Sequence, residues 1–229
     1  LCYRYYNGDD QLMVVQGPQT ILNSEPRELS WQLPDLGGPI VDVGLEVSGV
    51  GKLWLDYLKV EGEPSVRFTK LEGSGSMWRR AWVNAVDRLD KRFPEALRML
   101  HMRGLGQISI GSRGWRDYSV SASLTPYLAK QTGMAVRWQG QKRFYAVLLV
   151  KPGKLQIVKY RGQHMVLAEA ALDWTEGREY TVEVSVSGPK ITAEVGGVRL
   201  EATDSGQPLT SGGIALLIEE GWLSCDEVR

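Results

Sequence analysis

This sequence has little of what catalysts and metalloproteins usually rely on. It holds two histidines, His101 and His164, and two cysteines, Cys2 and Cys225, in 229 residues. No HxH, HExxH or CxxC spacing occurs, so the common zinc signatures are excluded, and the isolated histidines read as surface or satisfied groups. A GxSxG nucleophile elbow is missing. Gly104-Leu105-Gly106 lacks the third glycine of a dinucleotide-binding turn. Charge of one sign is also lacking, since Lys plus Arg and Asp plus Glu both number 27. That balance argues against broad electrostatic capture of nucleic acid or of an anionic membrane. The local basic cluster of Arg79, Arg80, Arg88, Lys91, Arg92, Arg98 and Arg103 is interleaved with acids and reads as a solvated mixed face. No apolar run is long enough to span a bilayer, and no signal-peptide pattern is present. Cys2 and Cys225 can bridge if the termini meet; two free thiols in a reducing, cytoplasmic setting is the reading preferred over secretion. The chain begins at Leu1 rather than Met, so its N-terminus does not report its location.

What the chain has in abundance is period-two alternation. Tyr118, Val120, Ala122 and Leu124 alternate with Ser119, Ser121, Ser123 and Thr125. This is the pattern of a strand with one face in a core and the other free. Gly133–Trp138 and Arg143–Val150 flank the Gln139-Gly140-Gln141-Lys142 turn and read as a hairpin. Leu155–Tyr160, Met165–Ala171, Tyr180–Val186, Ile191–Val195, Val198–Ala202 and Gly213–Ile218 follow at regular intervals, separated by Gly and Pro turns. Such spacing predicts an all-β antiparallel sandwich or jelly roll rather than an α/β fold. Pro94–Arg103 fits either a helix opened by Pro94 or a strand carrying Leu97, Met99 and His101, and Gln107–Ile110 reads as a short strand.

The first part of the chain reads as about five short strands within residues 1–66. They include Leu12–Val15, Glu28–Leu33, Ile40–Val47 and Lys52–Val60, the last with both faces covered. Pro34–Pro39 is loop chemistry. Glu72-Gly73-Ser74-Gly75-Ser76 is the one linker-like segment, which puts a smaller or partial β-sandwich at 1–70 and the larger sandwich at 71–229.

Two resemblances follow from particular residues. Trp115-Arg116-Asp117-Tyr118-Ser119-Val120, Arg137, Tyr145, Gly196-Gly197 and Gly212-Gly213-Ile214 make residues 77–229 similar to a concanavalin-A-like, laminin-G-type sandwich. The stretches LWLDYLKVEGEP at 53–64, MWRRAWVNAVD at 77–87 and RDYSVSASLTPYLAK at 116–130 resemble the non-catalytic C-terminal region of bacterial multidomain ADP-ribosylglycohydrolase-family proteins. That second resemblance implies a galactose-binding-like first unit and a glycan-binding accessory role. Nothing in the chain matches that family's catalytic, metal-binding domain.

Sugar recognition by a sandwich needs flat apolar surfaces for pyranose faces and polar groups for hydroxyls. The expected ligand-binding residues are Trp115, Trp138, Tyr145 and Tyr160, with Arg137, Arg143 and Lys159 as donors. Arg137 and Tyr145 are expected on the open face. Trp138 points opposite to Arg137 if the strand is regular. Core packing is the competing reading for each aromatic residue. Asp9, Asp10 and Asp56 offer hard oxygen ligands for a structural Ca²⁺, but no EF-hand series is present and turn chemistry is the preferred reading. No other cofactor and no catalytic residue is expected. The reading taken is a non-catalytic module that binds a carbohydrate or glycan-like ligand. The alternatives are a structural module packing on a catalytic domain or subunit, and a small glycoside-acting enzyme needing two carboxylates across a cleft.

Overall fold

A computed structural model of the chain describes residues 1–33, 40–61, 67–90, 93 and 95–229. The Pro34–Pro39 loop, Lys91, Arg92 and the helix-opening Pro94 lie outside the described residues. The chain divides into two compact units. One comprises residues 1–66 and 71–80, the other 67–70 and 81–229.

The first unit contains β1 (Cys2–Tyr6), β2 (Leu12–Gln16) and β3 (Ile40–Gly44), antiparallel in the order β2-β1-β3. Tyr3 of the central strand is buried, and its ring lies 5.1 Å from that of Trp31. Arg4 and Asp42 are cross-strand partners and form an ion pair. The expected strands at Glu28–Leu33 and Lys52–Val60 are not formed. The second of these is a correction with a physical cause. Leu53, Trp54, Leu55, Tyr57 and Leu58 alternate correctly, but the segment pairs with no described strand and these side chains stay exposed, Trp54 at 87%. Alternation favours a strand only where a neighbouring edge and a covering layer exist. The linker-like segment is also not free. Gly75 N–H donates to Gly8 O at 2.7 Å, and Ser76 and Met77 N–H both donate to Asp10 Oδ1, at 2.6 and 2.7 Å. A Cβ on Gly73 would lie 2.2 Å from Gly8 O, so these glycines permit close backbone approach rather than slack.

The second unit holds β4 (Phe68–Thr69), β5 (Val83–Ala85), β6 (Arg88–Asp90), β7 (Leu97–Ile110), β8 (Tyr118–Tyr127), β9 (Gln131–Gly140), β10 (Arg143–Val150), β11 (Lys154–Arg161), β12 (Gln163–Ala171), β13 (Tyr180–Ser187), β14 (Lys190–Val195), β15 (Val198–Thr203) and β16 (Gly213–Val228). A short 3₁₀ turn, Met77–Ala81, precedes β5. Hydrogen bonding runs continuously through all 13 strands because β7 and β16 cross from one layer to the other. The first half of β16 pairs with β9 and with the second half of β7, making a front sheet of β12-β11-β10-β9-β16-β7-β5. The second half of β16 pairs with β8 and the first half of β7, making a back sheet of β15-β14-β13-β8-β16-β7-β6. Both crossing strands bend at residues with left-handed backbone, Gly104 in β7 and Glu220 in β16. The β16 register shifts between Glu219 and Gly221. A Cβ on Gly221 would fall 2.6 Å from Leu128 O, so the bend needs glycine there. This is a jelly-roll sandwich, and the Leu97–Arg103 ambiguity resolves as strand.

The back sheet follows the alternation closely. Val120, Ala122, Leu124, Val182, Val184, Ile191 and Ala193 are buried, while Ser119, Thr181 and Glu183 face out. The front sheet is buried on both faces. Val147, Leu149, Leu155, Ile157, Met134 and Leu216 pack toward the back sheet, while Ala135, Phe144, Ala146, Leu148, Val158, Ala215 and Leu217 form a second apolar cluster on the outer face. Each fully buried leucine contributes about 1.5–3 kcal/mol.

Candidate functional site

Most of the polar residues that the sequence singles out lie on β9, β10 and β11 and are used inside the protein. Arg137 sits in a bulge of β9 with φ at +48° and is 1% exposed. Its guanidinium donates to Arg116 O (3.1 Å), Gly188 O (2.5 Å), Leu209 O (2.6 Å) and Asp117 Oδ1 (2.7 Å). Tyr145 donates to Asp204 Oδ2 at 2.6 Å and accepts Leu209 N–H at 2.8 Å. Lys159, its cross-strand neighbour, reaches the same carboxylate and donates to Gly206 O (2.7 Å) and Gln207 O (2.9 Å). Arg137, Tyr145 and Lys159 are therefore not on an open face. Together they pin the β15–β16 connection, and every polar atom they need is supplied by the protein.

The electrostatics agree with this structural role. Burial alone would raise the Asp204 carboxyl, but the Lys159 ammonium, the Tyr145 hydroxyl and the Gly206 N–H together hold it below the usual carboxylate range. Burial raises the Tyr145 hydroxyl well above its ordinary value, helped by Asp204. Tyr118 donates to the carbonyls of Gly212 and Gly213 and accepts the Arg137 backbone N–H at 2.6 Å. Its hydroxyl is pushed up to about 12, burial outweighing the pull of Arg137. Trp115 packs edge-on against Tyr118, with ring centroids 6.0 Å apart. Arg143 is exposed and bonds Gln139 at 2.7 Å.

Trp138 and Tyr160 do reach the outer face of the front sheet, and the Arg137 bulge is what separates Trp138 from its neighbour. With Leu105 and Val150 they pack on the Ala135–Leu217 cluster. Trp138 Nε1 donates to Gln107 Oε1 at 2.6 Å. Tyr160 stacks on Phe144 with centroids 4.7 Å apart and meets His164 edge-on at 5.0 Å. The Tyr160 hydroxyl is raised by burial and by the Glu219 carboxylate, against the lowering effect of a bond from Gln131. Gln131 and Glu219 are register partners on β9 and β16 and bond each other.

Beside this pair lies a shallow groove of about 370 Å³, lined by Leu128, Ala129, Lys130, Gln131, Val150, Lys151 and Glu219. One of its lining residues, Leu128, has left-handed backbone, as does Glu220, next in sequence to the lining Glu219. Strain of this kind collects at functional sites. Lys130 pairs with Glu220 at 2.5 Å, and Lys151 pairs with Glu176. Both carboxyls are held below their ordinary range by these lysines. The groove offers amide, carboxylate and ammonium groups beside an aromatic hydroxyl. Tyr160 is legible from the sequence, but the meeting of Gln131 with Glu219 is not, because it depends on the β9–β16 pairing across 88 residues.

Asp9 and Asp10 accept backbone N–H groups, Asp9 from Ser74 at 3.1 Å. Among the described residues no three His, Cys, Asp or Glu side chains converge. Cys2 and Cys225 are free thiols. No described helix is long and apolar enough to cross a membrane.

No protein-family model matches the sequence, and no curated protein matches it. Among solved structures, the fold is similar to the carbohydrate-binding module CBM66 from Bacillus subtilis. The TM-score is 0.57 at 15% identity, covering 64% of this chain and 92% of that one. It is also similar to a Bacillus subtilis protein of unknown function with a galectin-like fold, with TM-score 0.54, 12% identity, and coverage of 74% and 96%. These likenesses place the second unit among jelly-roll β-sandwiches. Neither ties the chain to ADP-ribosylglycohydrolase proteins.

Proposed function

We propose that the chain is a non-catalytic glycan-recognition module whose second unit binds an oligosaccharide at the front-sheet groove. The observation that carries this reading is the convergence of Gln131, Glu219 and Tyr160 beside a 370 Å³ groove bordered by Lys130 and Lys151. A carboxylate and an amide accept and donate to sugar hydroxyls, and the flanking apolar groups suit a ring face. The likeness in fold to a carbohydrate-binding module supports the same reading. Glycoside hydrolysis fits the site less well. It requires a carboxyl kept protonated near neutral pH, and the lysine partners of Glu176 and Glu220 push theirs the opposite way.

Titration of the full chain with a panel of soluble neutral oligosaccharides tests this reading, with Gln131→Ala and Lys151→Ala in parallel. Saturable binding of one class, weakened tenfold or more by either variant with an unchanged melting curve, is expected. Binding that both folded variants retain would move the site elsewhere.

A further inference from the structure

The outer face of the back sheet carries a second cluster that the groove does not use. In register across β7, β16 and β8 lie two rows, Arg98–Ser224–Thr125 and Leu100–Trp222–Tyr127. The Arg98 guanidinium carbon sits 3.8 Å from the Phe93 ring centroid, 5.3 Å from Trp222 and 5.7 Å from Tyr127. All four side chains are partly exposed. Three rings thus hold one cation in place by cation–π attraction. Yet Arg98 Nε is buried and has no hydrogen-bond partner. A few residues away, Glu95 accepts from the Ser224 hydroxyl at 3.5 Å through Oε1, while its Oε2 is buried without a partner. The neighbouring Asp90 of β6 pairs with Arg88 at 2.9 Å.

Arg98 and Glu95 thus flank Ser224, one by strand register and the other by hydrogen bond, and each keeps one polar atom without a partner. A ligand that engages these two partly exposed side chains presents an anionic acceptor to the guanidinium and a hydroxyl donor to the carboxylate. The partly exposed Trp222 and Tyr127 rings, with the Thr125 hydroxyl beside them, add a flat apolar surface bordered by a polar group. A sugar acid has all three features: a carboxylate, hydroxyls, and a ring with an apolar face. We propose that this face is a second binding site, specific for a uronic acid residue, with Arg98 taking the carboxylate and Glu95 a ring hydroxyl. Trp222 and Tyr127 stack on the pyranose.

The test is calorimetric titration of the full chain with trigalacturonate and with neutral galactotriose, in a Gln131→Ala background so that groove binding does not contribute. Saturable trigalacturonate binding is expected, with the neutral trimer at least tenfold weaker. Arg98→Lys keeps the charge but loses the planar fork, and should weaken trigalacturonate tenfold or more. Glu95→Gln preserves shape and should weaken it several-fold, which decides the matter if Arg98→Lys does not fold. Equal affinity for both trimers, undiminished binding by the folded variants, or no binding of trigalacturonate would overturn the proposal. None of these results bears on the front-sheet groove, which neutral sugars test separately.

Discussion

The two units of this chain use the same alternating sequence to different ends. In the second, strands of up to 16 residues are stacked in two layers, and the inward residues of β8, β13 and β14 are almost fully buried. In the first, three five-residue strands surround the buried Tyr3, while Leu12, Met13, Val14, Val41 and Val43 remain exposed. Alternation specifies a two-faced ribbon, and only a second layer turns one face into a core. The contrast extends to charge. The second unit buries Arg137 and Lys159 because backbone carbonyls and Asp204 await them, whereas the Arg4–Asp42 pair of the first unit lies in solvent and contributes little.

Mutations can break this contrast at its strongest point first. Arg137→Ala should destabilise the second unit by about 3–5 kcal/mol, since it empties a fully buried site and takes the donor from the carbonyls of Arg116, Gly188 and Leu209; urea unfolding followed by tryptophan fluorescence reads this directly. Leu217→Ala should cost about 2–5 kcal/mol, whereas Val14→Ala in the first unit should stay within about 0.5 kcal/mol. Equal effects at the two positions in the same urea experiment would dissolve the distinction between the units.

Lys159→Met sharpens the comparison through pH. With Lys159 present, Asp204 has a lowered carboxyl, so its contribution to stability exists above the unfolded value of about 3.9 and is lost as pH falls through the lowered folded value. Without Lys159, only the Tyr145 hydroxyl and the Gly206 N–H oppose burial, so the carboxyl rises from its lowered value. The loss of urea midpoint as pH falls between about 6 and 3 should shrink accordingly. Arg4→Met in the first unit should leave that loss nearly unaltered.

At the alkaline end, Tyr118 is raised to about 12, so its contribution is present below about pH 10 and lost between there and about 12. Tyr118→Phe should flatten that limb of the stability curve. The smallest effect is a labelling difference. Burial pushes the Cys225 thiol up, so it should resist a thiol reagent at neutral pH until the protein unfolds, while the partly exposed Cys2 reacts in the native state. Mass spectrometry after peptide digestion separates the two.

Several elements were legible before any coordinate was known. The Tyr118–Thr125 alternation assigned the inward face of β8 correctly, and the glycine-marked turns separated β13, β14 and β15. The candidate site was legible only in its composition. Arg137, Tyr145 and Lys159 have the residue types of a sugar-binding face, yet the structure assigns them to the β15–β16 connection. The reason is that a positive-φ bulge at Arg137 turns its side chain inward, and no periodicity announces such a bulge. The crossing strands were missed for a related reason. Glu219-Glu220-Gly221 reads as a strand end, but a left-handed Glu220 and a glycine tight against Leu128 let β16 continue into the second layer.

The sequence by itself determined that the chain is all-β, where most of the second unit's strands lie, and which side chains of β8, β13 and β14 enter the core. These follow from the two-residue period of the extended backbone, which is local. Tertiary structure alone decided which polar residues are consumed inside the protein and which are left facing outward. Gln131 meets Glu219, and Arg98 meets Trp222 and Tyr127, only through pairings between distant strands. Burial and hydrogen-bond satisfaction are properties of those pairings, not of any single segment.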